Sequence, residues 1–83
     1  MKTQYITQYV NEYGQVNVYE ILCKIRELCR FKFYRVADKW INELYEITAG
    51  TSFENVNNEL FFMTFDEECE FYHLISLISK KLQ

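Results

Sequence analysis

The sequence contains no proline and only two glycines among its 83 residues. Together with an apolar content of 49%, this composition excludes a disordered tail, a collagen-like chain and a loop-rich disulfide scaffold. No apolar run approaches the roughly 20 residues that a bilayer-spanning helix needs, and the first residues lack the apolar stretch of a secretion signal. We therefore expect a single domain over residues 1–83, located in the cytoplasm.

Residues that commonly carry chemistry are also few. Three cysteines are an odd number, so a full disulfide framework is not available and a reducing compartment is expected. Cys69 and His73 are four residues apart and share a helix face, as zinc ligands can, but together with Cys23 and Cys29 they match no zinc signature. The chain has one histidine and neither a glycine-rich phosphate loop nor a paired-acid motif. We predict no catalytic residue, no metal site, no cofactor and no enzymatic activity.

Lysine and arginine are missing from a long part of the chain, between Trp40 and Ser79. Residues 1–39 hold seven basic and four acidic residues, whereas residues 40–83 hold two basic and eight acidic ones. The net charge of −3 thus conceals a basic first half and an acidic second half. A polarised small domain can offer one face to a polyanion, although such charges also commonly do no more than solvate a helix surface.

Apolar residues recur at helical spacing in four stretches and alternate in a fifth. The helical stretches are residues 3–13, 17–30, 34–48 and 66–82. Asn17 is placed to cap the second helix, and either Thr64 or Asp66 is placed to cap the last, with Thr64 and Glu67 fitting the capping box. Alternating apolar side chains over residues 59–65 predict a strand, with residues 51–56 as its partner in a hairpin.

These patterns predict an α+β fold, mostly helical. Its expected parts are a three-helix core (residues 3–50), a β-hairpin (51–65) and a C-terminal helix (66–83). The third helix would bury Trp40 against the second helix, and the last helix would bury a stripe that begins at Phe71 and ends at Leu82. The other apolar residues on the same face of the third helix are Val36, Ala37, Ile41, Leu44 and Ile47.

The order of helix, helix, helix, hairpin and helix resembles the winged helix-turn-helix family over residues 3–65. The stretch NEYGQVNVYEIL, residues 11–22, is similar to the family's first turn, where a helix ends at a glycine and a short polar-apolar alternation opens the next helix. The resemblance implies a small DNA-binding regulator of transcription, of the kind common in viruses and plasmids. It also implies that residues 34–48 form the helix that enters the DNA major groove.

Five side chains are candidate nucleic-acid ligands. On the third predicted helix, the face opposite the apolar stripe carries Arg35, Lys39 and Asn42, which can contact phosphates or base edges. Arg26 and Arg30 are four residues apart on the preceding helix and can flank the same backbone. DNA is therefore the first partner that the sequence predicts.

An acidic stretch supports a different function. The predicted hairpin carries carboxylates and no basic residue, so it would repel phosphate, and more carboxylates open the last helix. An acidic surface beside exposed aromatic rings can occupy a nucleic-acid site on another protein, so the alternative is a phage or mobile-element inhibitor of a host restriction or CRISPR protein. The same acids also suit the positive end of a helix dipole. They are Glu54, Glu59, Asp66, Glu67, Glu68 and Glu70.

The last predicted helix has an apolar arc wider than one small domain needs. Tyr72 and Leu77 flank its core stripe. We therefore expect a two-fold homodimer with these two side chains at or near the interface.

Overall fold

The computed structural model describes residues 5–48 and 63–83. Within them the chain forms three α-helices, α1 (Val18–Arg30), α2 (Tyr34–Thr48) and α3 (Phe65–Lys81), preceded by one 3₁₀ turn (Thr7–Tyr9). The three α-helices pack against one another around a shared apolar core. The described part of the chain contains no strand and its regular structure is helical, so the predicted α+β class is wrong. No helix there is long and apolar enough to cross a membrane.

The predicted hairpin fails where the structure describes it, at its C-terminal end. Residues 51–62 lie outside the described residues, but Met63 and Thr64 form no strand and Phe65 is already the first residue of α3. The reason is the predicted cap, which is confirmed. The Thr64 hydroxyl accepts from the Glu67 N–H (3.2 Å), and the Glu67 carboxylate accepts from the Thr64 N–H (2.9 Å). This reciprocal pair starts the helix and overrides the alternation of apolar residues before it.

The second and third predicted helices are confirmed as α1 and α2. The Asn17 side chain accepts from the Glu20 N–H (3.2 Å), which is the expected N-cap of α1. Two inward positions were predicted wrongly. Val36 is 38% exposed because it lies at the edge of the buried arc of α2, whereas the other predicted inward positions of this helix, from Ala37 to Ile47, are buried. Leu82 is exposed because it caps α3 after the last helical residue.

The first predicted helix, residues 3–13, is wrong. Only the 3₁₀ turn forms; Val10 is extended and pairs with Val16 in an isolated antiparallel bridge. The cause is Asn11, whose side-chain oxygen accepts from the N–H groups of Tyr13 (2.8 Å) and Gln15 (2.9 Å). Asparagine side chains compete with the helix for backbone donors in this way. A glycine at position 14, with a φ of 80°, then lets the chain reverse.

The segment before α1 packs against α2 through residues 5–9. The rings of Tyr5 and Tyr9 lie 5.6 and 5.7 Å, centroid to centroid, from the indole of Trp40, which is only 4% exposed. One carboxylate oxygen of Glu43 accepts from the N–H groups of Tyr5 (2.9 Å) and Ile6 (3.1 Å). The burial predicted for Trp40 is confirmed, and part of its cover comes from residues whose contact with α2 was not foreseen.

Replacing Glu43 with alanine should detach this segment. Two partly buried N–H groups lose a charged acceptor, and we expect the free energy of unfolding to fall by about 1.5–3 kcal/mol. Urea denaturation measures that loss, and amide hydrogen exchange at Tyr5 and Ile6 localises it. Glu27→Ala, at an exposed carboxylate of α1, is the control and should change stability by less than about 0.5 kcal/mol. Unchanged protection of the Tyr5 and Ile6 amides in Glu43→Ala would contradict the assignment.

Candidate nucleic-acid interface

The turn between α1 and α2 is fixed by backbone hydrogen bonds. The Lys32 N–H donates to the carbonyl of Cys29 (3.0 Å), and the Phe33 N–H donates to the carbonyl of Leu28 (2.9 Å). This is the Schellman arrangement, in which the residue after the cap takes the left-handed conformation and is usually glycine. Here it is Lys32, with a φ of 65°. A lysine in this conformation costs on the order of 1–2 kcal/mol and places a cationic side chain at the apex.

Basic and aromatic residues are interleaved around this turn. Residues 30–35 have the sequence RFKFYR, and we call them the basic-aromatic turn. Phe31 and Phe33 are 60% and 57% exposed, and their ring centroids lie 6.4 Å apart. Arg30 and Lys32 are exposed as well. The turn therefore presents cations and aromatic rings together.

The two phenylalanines and Lys32 were missed by the sequence analysis. The available signal was the run of alternating basic and aromatic residues at the boundary between two helical patterns, where no helix face has to bury them. Because large apolar residues more often belong to a core, their exposure becomes evident only in the structure.

Helices α1 and α3 run in the same direction. The Arg26 guanidinium forms an ion pair with Glu70, with Nε donating to Oε1 at 2.7 Å. Further along both helices, Arg30 and Leu77 line the same groove. Because the two helices are parallel, their C-terminal ends lie at the same end of the molecule. The last turn of α3 is therefore at the end that carries the basic-aromatic turn.

This arrangement gathers basic side chains at one end of the helical bundle. The last turn of α3 contributes two lysines, and the basic-aromatic turn contributes three cations. At the opposite end, the first turns of α1 and α3 carry only acidic residues among their charged side chains. We call the cationic set the basic end. It consists of Arg30, Lys32, Arg35, Lys80 and Lys81.

The structure separates the five predicted nucleic-acid ligands into two groups. Arg26 is engaged with Glu70, and hydrogen bonding to that carboxylate raises the pKa of Arg26 above its usual value. The Asn42 side chain donates a long hydrogen bond to Asp38 (3.4 Å). The other three, Arg30, Arg35 and Lys39, are exposed and form no ion pair with any described residue.

Lys39 lies one turn along α2 from the basic end and keeps its charge available. Its nearest helical partner would be Glu43, because glutamate and lysine four residues apart commonly pair. That carboxylate instead accepts backbone N–H groups of the segment before α1. Lys39 therefore extends the positive potential of the basic end along the exposed face of α2.

The acidic residues of the alternative function have structural roles where they are described. Glu67 completes the cap of α3, and Glu70 pairs with Arg26. Asp66 and Glu68 lie exposed in the first turn of α3, where negative charge stabilises the helix. The remaining two, Glu54 and Glu59, lie outside the described residues.

The two predicted dimer residues have different surroundings. Tyr72 is exposed, with its ring 5.5 Å from that of Phe71. Leu77 is half-buried, packs against the core of its own chain and lines the groove between α1 and α3. The homodimer stays a prediction, and Tyr72 is the more accessible of its two residues.

The groove between α1 and α3 has a volume of about 630 Å³ and brings two cysteines together with the histidine. Cys29 is buried at its base, and burial raises the pKa of that thiol, so it is a weak nucleophile. Cys69 and His73 lie on its rim, exposed, whereas Cys23 does not line it. Among the side chains of residues 5–48 and 63–83, no group of three or more His, Cys, Asp or Glu could hold a metal ion.

The basic end thus supplies exposed cations, and the basic-aromatic turn that overlaps it adds exposed aromatic rings on a fixed backbone. Comparison with known protein families, with curated proteins and with solved structures finds no match for this chain.

Proposed function

We propose that the protein binds nucleic acid without catalysing a reaction, and that the basic end contacts the phosphate backbone. The feature that supports this proposal is the placement of five basic residues toward one end of the bundle, which follows from the parallel course of α1 and α3. They are Arg30, Lys32 and Arg35 in the turn and Lys80 and Lys81 in the last turn of α3. Contacts between such side chains and phosphates release condensed counterions, which makes binding favourable without any sequence-specific contact.

The local charge supports this proposal although the whole chain is acidic. Residues 30–39 contain four basic residues and one carboxylate, Asp38. That carboxylate accepts a hydrogen bond from Asn42 on the same helix. A polyanion approaching the basic end therefore meets a positive surface, while the acidic first turn of α3 lies at the far end of the bundle.

The alternative, an acidic surface that occupies a nucleic-acid site on another protein, has less support. Glu67 and Glu70 are engaged by other groups of their own chain. An inhibitor that imitates phosphates needs carboxylates free to contact the partner's basic residues. Among the described acidic candidates, Asp66 and Glu68 alone are exposed at the helix start.

The proposal is tested by the salt dependence of binding. Fluorescence anisotropy with labelled 20-nucleotide single strands and duplexes, at 50, 100 and 200 mM salt, measures the slope of log affinity against log salt. Three to four phosphate contacts predict a slope of about −2 to −4, with the label remaining intact on a denaturing gel. Absence of binding to every oligonucleotide at 50 mM salt would refute the proposal, as would an affinity that does not change with salt.

A further inference from the structure

The rings of Phe31 and Phe33 are largely exposed and are not part of the core formed by the described residues. Both side chains lie outside the buried core, and neither is among the half-buried residues that pack against it. Only their backbone groups hold the turn, through hydrogen bonds that any residue can make. Two large aromatic side chains exposed side by side indicate a binding surface.

The turn presents these rings on a fixed backbone. The N–H groups of Phe31, Lys32 and Phe33 all donate to carbonyls of α1, and the Phe33 carbonyl accepts from Ala37 at the start of α2. Since the backbone is already ordered, placing a ligand on the rings costs little additional conformational entropy. Lys32 lies between the two phenylalanines in sequence and adopts the left-handed conformation. Glycine at this position would relieve the backbone strain but would remove the charge.

We propose that the basic-aromatic turn binds single-stranded nucleic acid, with unpaired bases stacking on Phe31 and Phe33 while Arg30, Lys32 and Arg35 hold the adjacent phosphates. This inference rests on the proposed function and specifies the form of the ligand. Aromatic rings stack on bases of any sequence, and interleaved cations follow the backbone between those bases.

The observations favour a single strand over a duplex. In a duplex both faces of each base are covered by neighbouring base pairs, and phosphate contacts alone would leave Phe31 and Phe33 exposed to water. Unpaired bases offer open faces to the rings. The tilt of 31° between the rings, at 6.4 Å between centroids, indicates that they form two separate platforms rather than one closed stack.

Anionic membranes also attract surfaces with both aromatic and basic residues. A membrane-bound segment gains most of its affinity from the apolar area that it inserts. Two phenylalanines on a short turn supply little such area. The interleaving of rings and cations fits a ligand that itself alternates bases with charged phosphates.

The test compares single-stranded with double-stranded ligands and compares the two phenylalanines with alanine and leucine at the same positions. Binding is measured by anisotropy to labelled dT20, U20 and a 20-base-pair duplex, for the wild type and for the double variants Phe31→Ala/Phe33→Ala and Phe31→Leu/Phe33→Leu. Each stacked ring contributes about 5-fold or more to affinity, so we expect losses of at least about 25-fold on a single strand in the alanine variant. Leucine, which is apolar but cannot stack, should lose nearly as much. Phe65→Leu, at an exposed phenylalanine of the acidic end, is the matched control and should bind as the wild type does.

The outcomes separate the two proposals. Tighter binding to dT20 or U20 than to the duplex, with upfield shifts of the Phe31 and Phe33 ring protons on binding, supports the inference. If the duplex binds as tightly as dT20 and U20 or more tightly, and both double variants keep this binding, the inference is overturned and the proposed function stands. Absence of binding to all three oligonucleotides overturns both. Sedimentation with phosphatidylserine vesicles measures the competing membrane ligand. Tighter binding to these vesicles than to the oligonucleotides, retained by the leucine variant, overturns the single-strand assignment in favour of a membrane.

Discussion

Trp40→Ala is expected to lower the free energy of unfolding by about 3–5 kcal/mol. The indole is 4% exposed, lies in the shared core and carries the rings of Tyr5 and Tyr9 on its surface. Its removal creates a cavity and also detaches part of the segment before α1. Since small domains are stable by only about 5–15 kcal/mol, this one change removes a large share of the total.

Urea denaturation followed by far-ultraviolet circular dichroism measures the effect, because the variant lacks the fluorescent indole. The matched control is Phe65→Ala, which removes an exposed aromatic side chain from the first residue of α3 and should change stability by less than about 1 kcal/mol. A loss below about 1 kcal/mol for Trp40→Ala would contradict the placement of α2 in the core. Solvent-exposed tryptophan fluorescence in the native wild type would contradict it as well.

The triple variant Arg30→Gln/Lys32→Gln/Arg35→Gln is expected to lose nucleic-acid affinity on the order of 100-fold, from about 1 kcal/mol for each lost phosphate contact. The slope of log affinity against log salt should flatten by about 2 to 3 units, because three counterions fewer are released. The fold should remain, since all three side chains are exposed and none forms an ion pair with a described residue. Circular dichroism and the urea midpoint verify this.

Lys24→Gln supplies the control for charge alone. Lys24 lies on α1, outside the basic-aromatic turn, six residues before Arg30 and eight before Lys32. Compared with the single variant Arg30→Gln, which changes the net charge equally, it should weaken binding much less. Equal losses from Lys24→Gln and Arg30→Gln would indicate a response to net charge and would contradict a localised site.

All three α-helices were predictable from an apolar period, and in α1 and α3 a predicted cap supports that period. Asn17 and Thr64 both cap helices that begin at the next residue. The N-terminal stretch has a helical apolar period too, yet the Asn11 side chain accepts from the N–H of Tyr13 at its end and from the N–H of Gln15 just beyond it. Helical period alone was therefore insufficient, because a polar residue inside the period can hold the backbone in a turn.

The candidate site was only partly predictable, because its assembly depends on tertiary structure. Arg30, Arg35 and Lys39 follow from helix periodicity. The pairing of Arg26 with Glu70 joins residues 44 positions apart in sequence, and no local pattern indicates it. Lys80 and Lys81 lie in the last turn of α3, and their position at the same end of the bundle as the turn depends on the parallel packing of α1 and α3.

The central claim, that the basic end is the nucleic-acid interface, is tested most directly by NMR. Backbone amide shifts of the ¹⁵N-labelled protein are followed while unlabelled dT20 is added at 50 mM salt. We predict that the largest changes fall on residues 30–39 and on Lys80 and Lys81, with the first turn of α3 at Asp66 and Glu68 unchanged. Changes concentrated on that acidic turn, or no changes at a large excess of dT20 and of a 20-base-pair duplex, would contradict the claim.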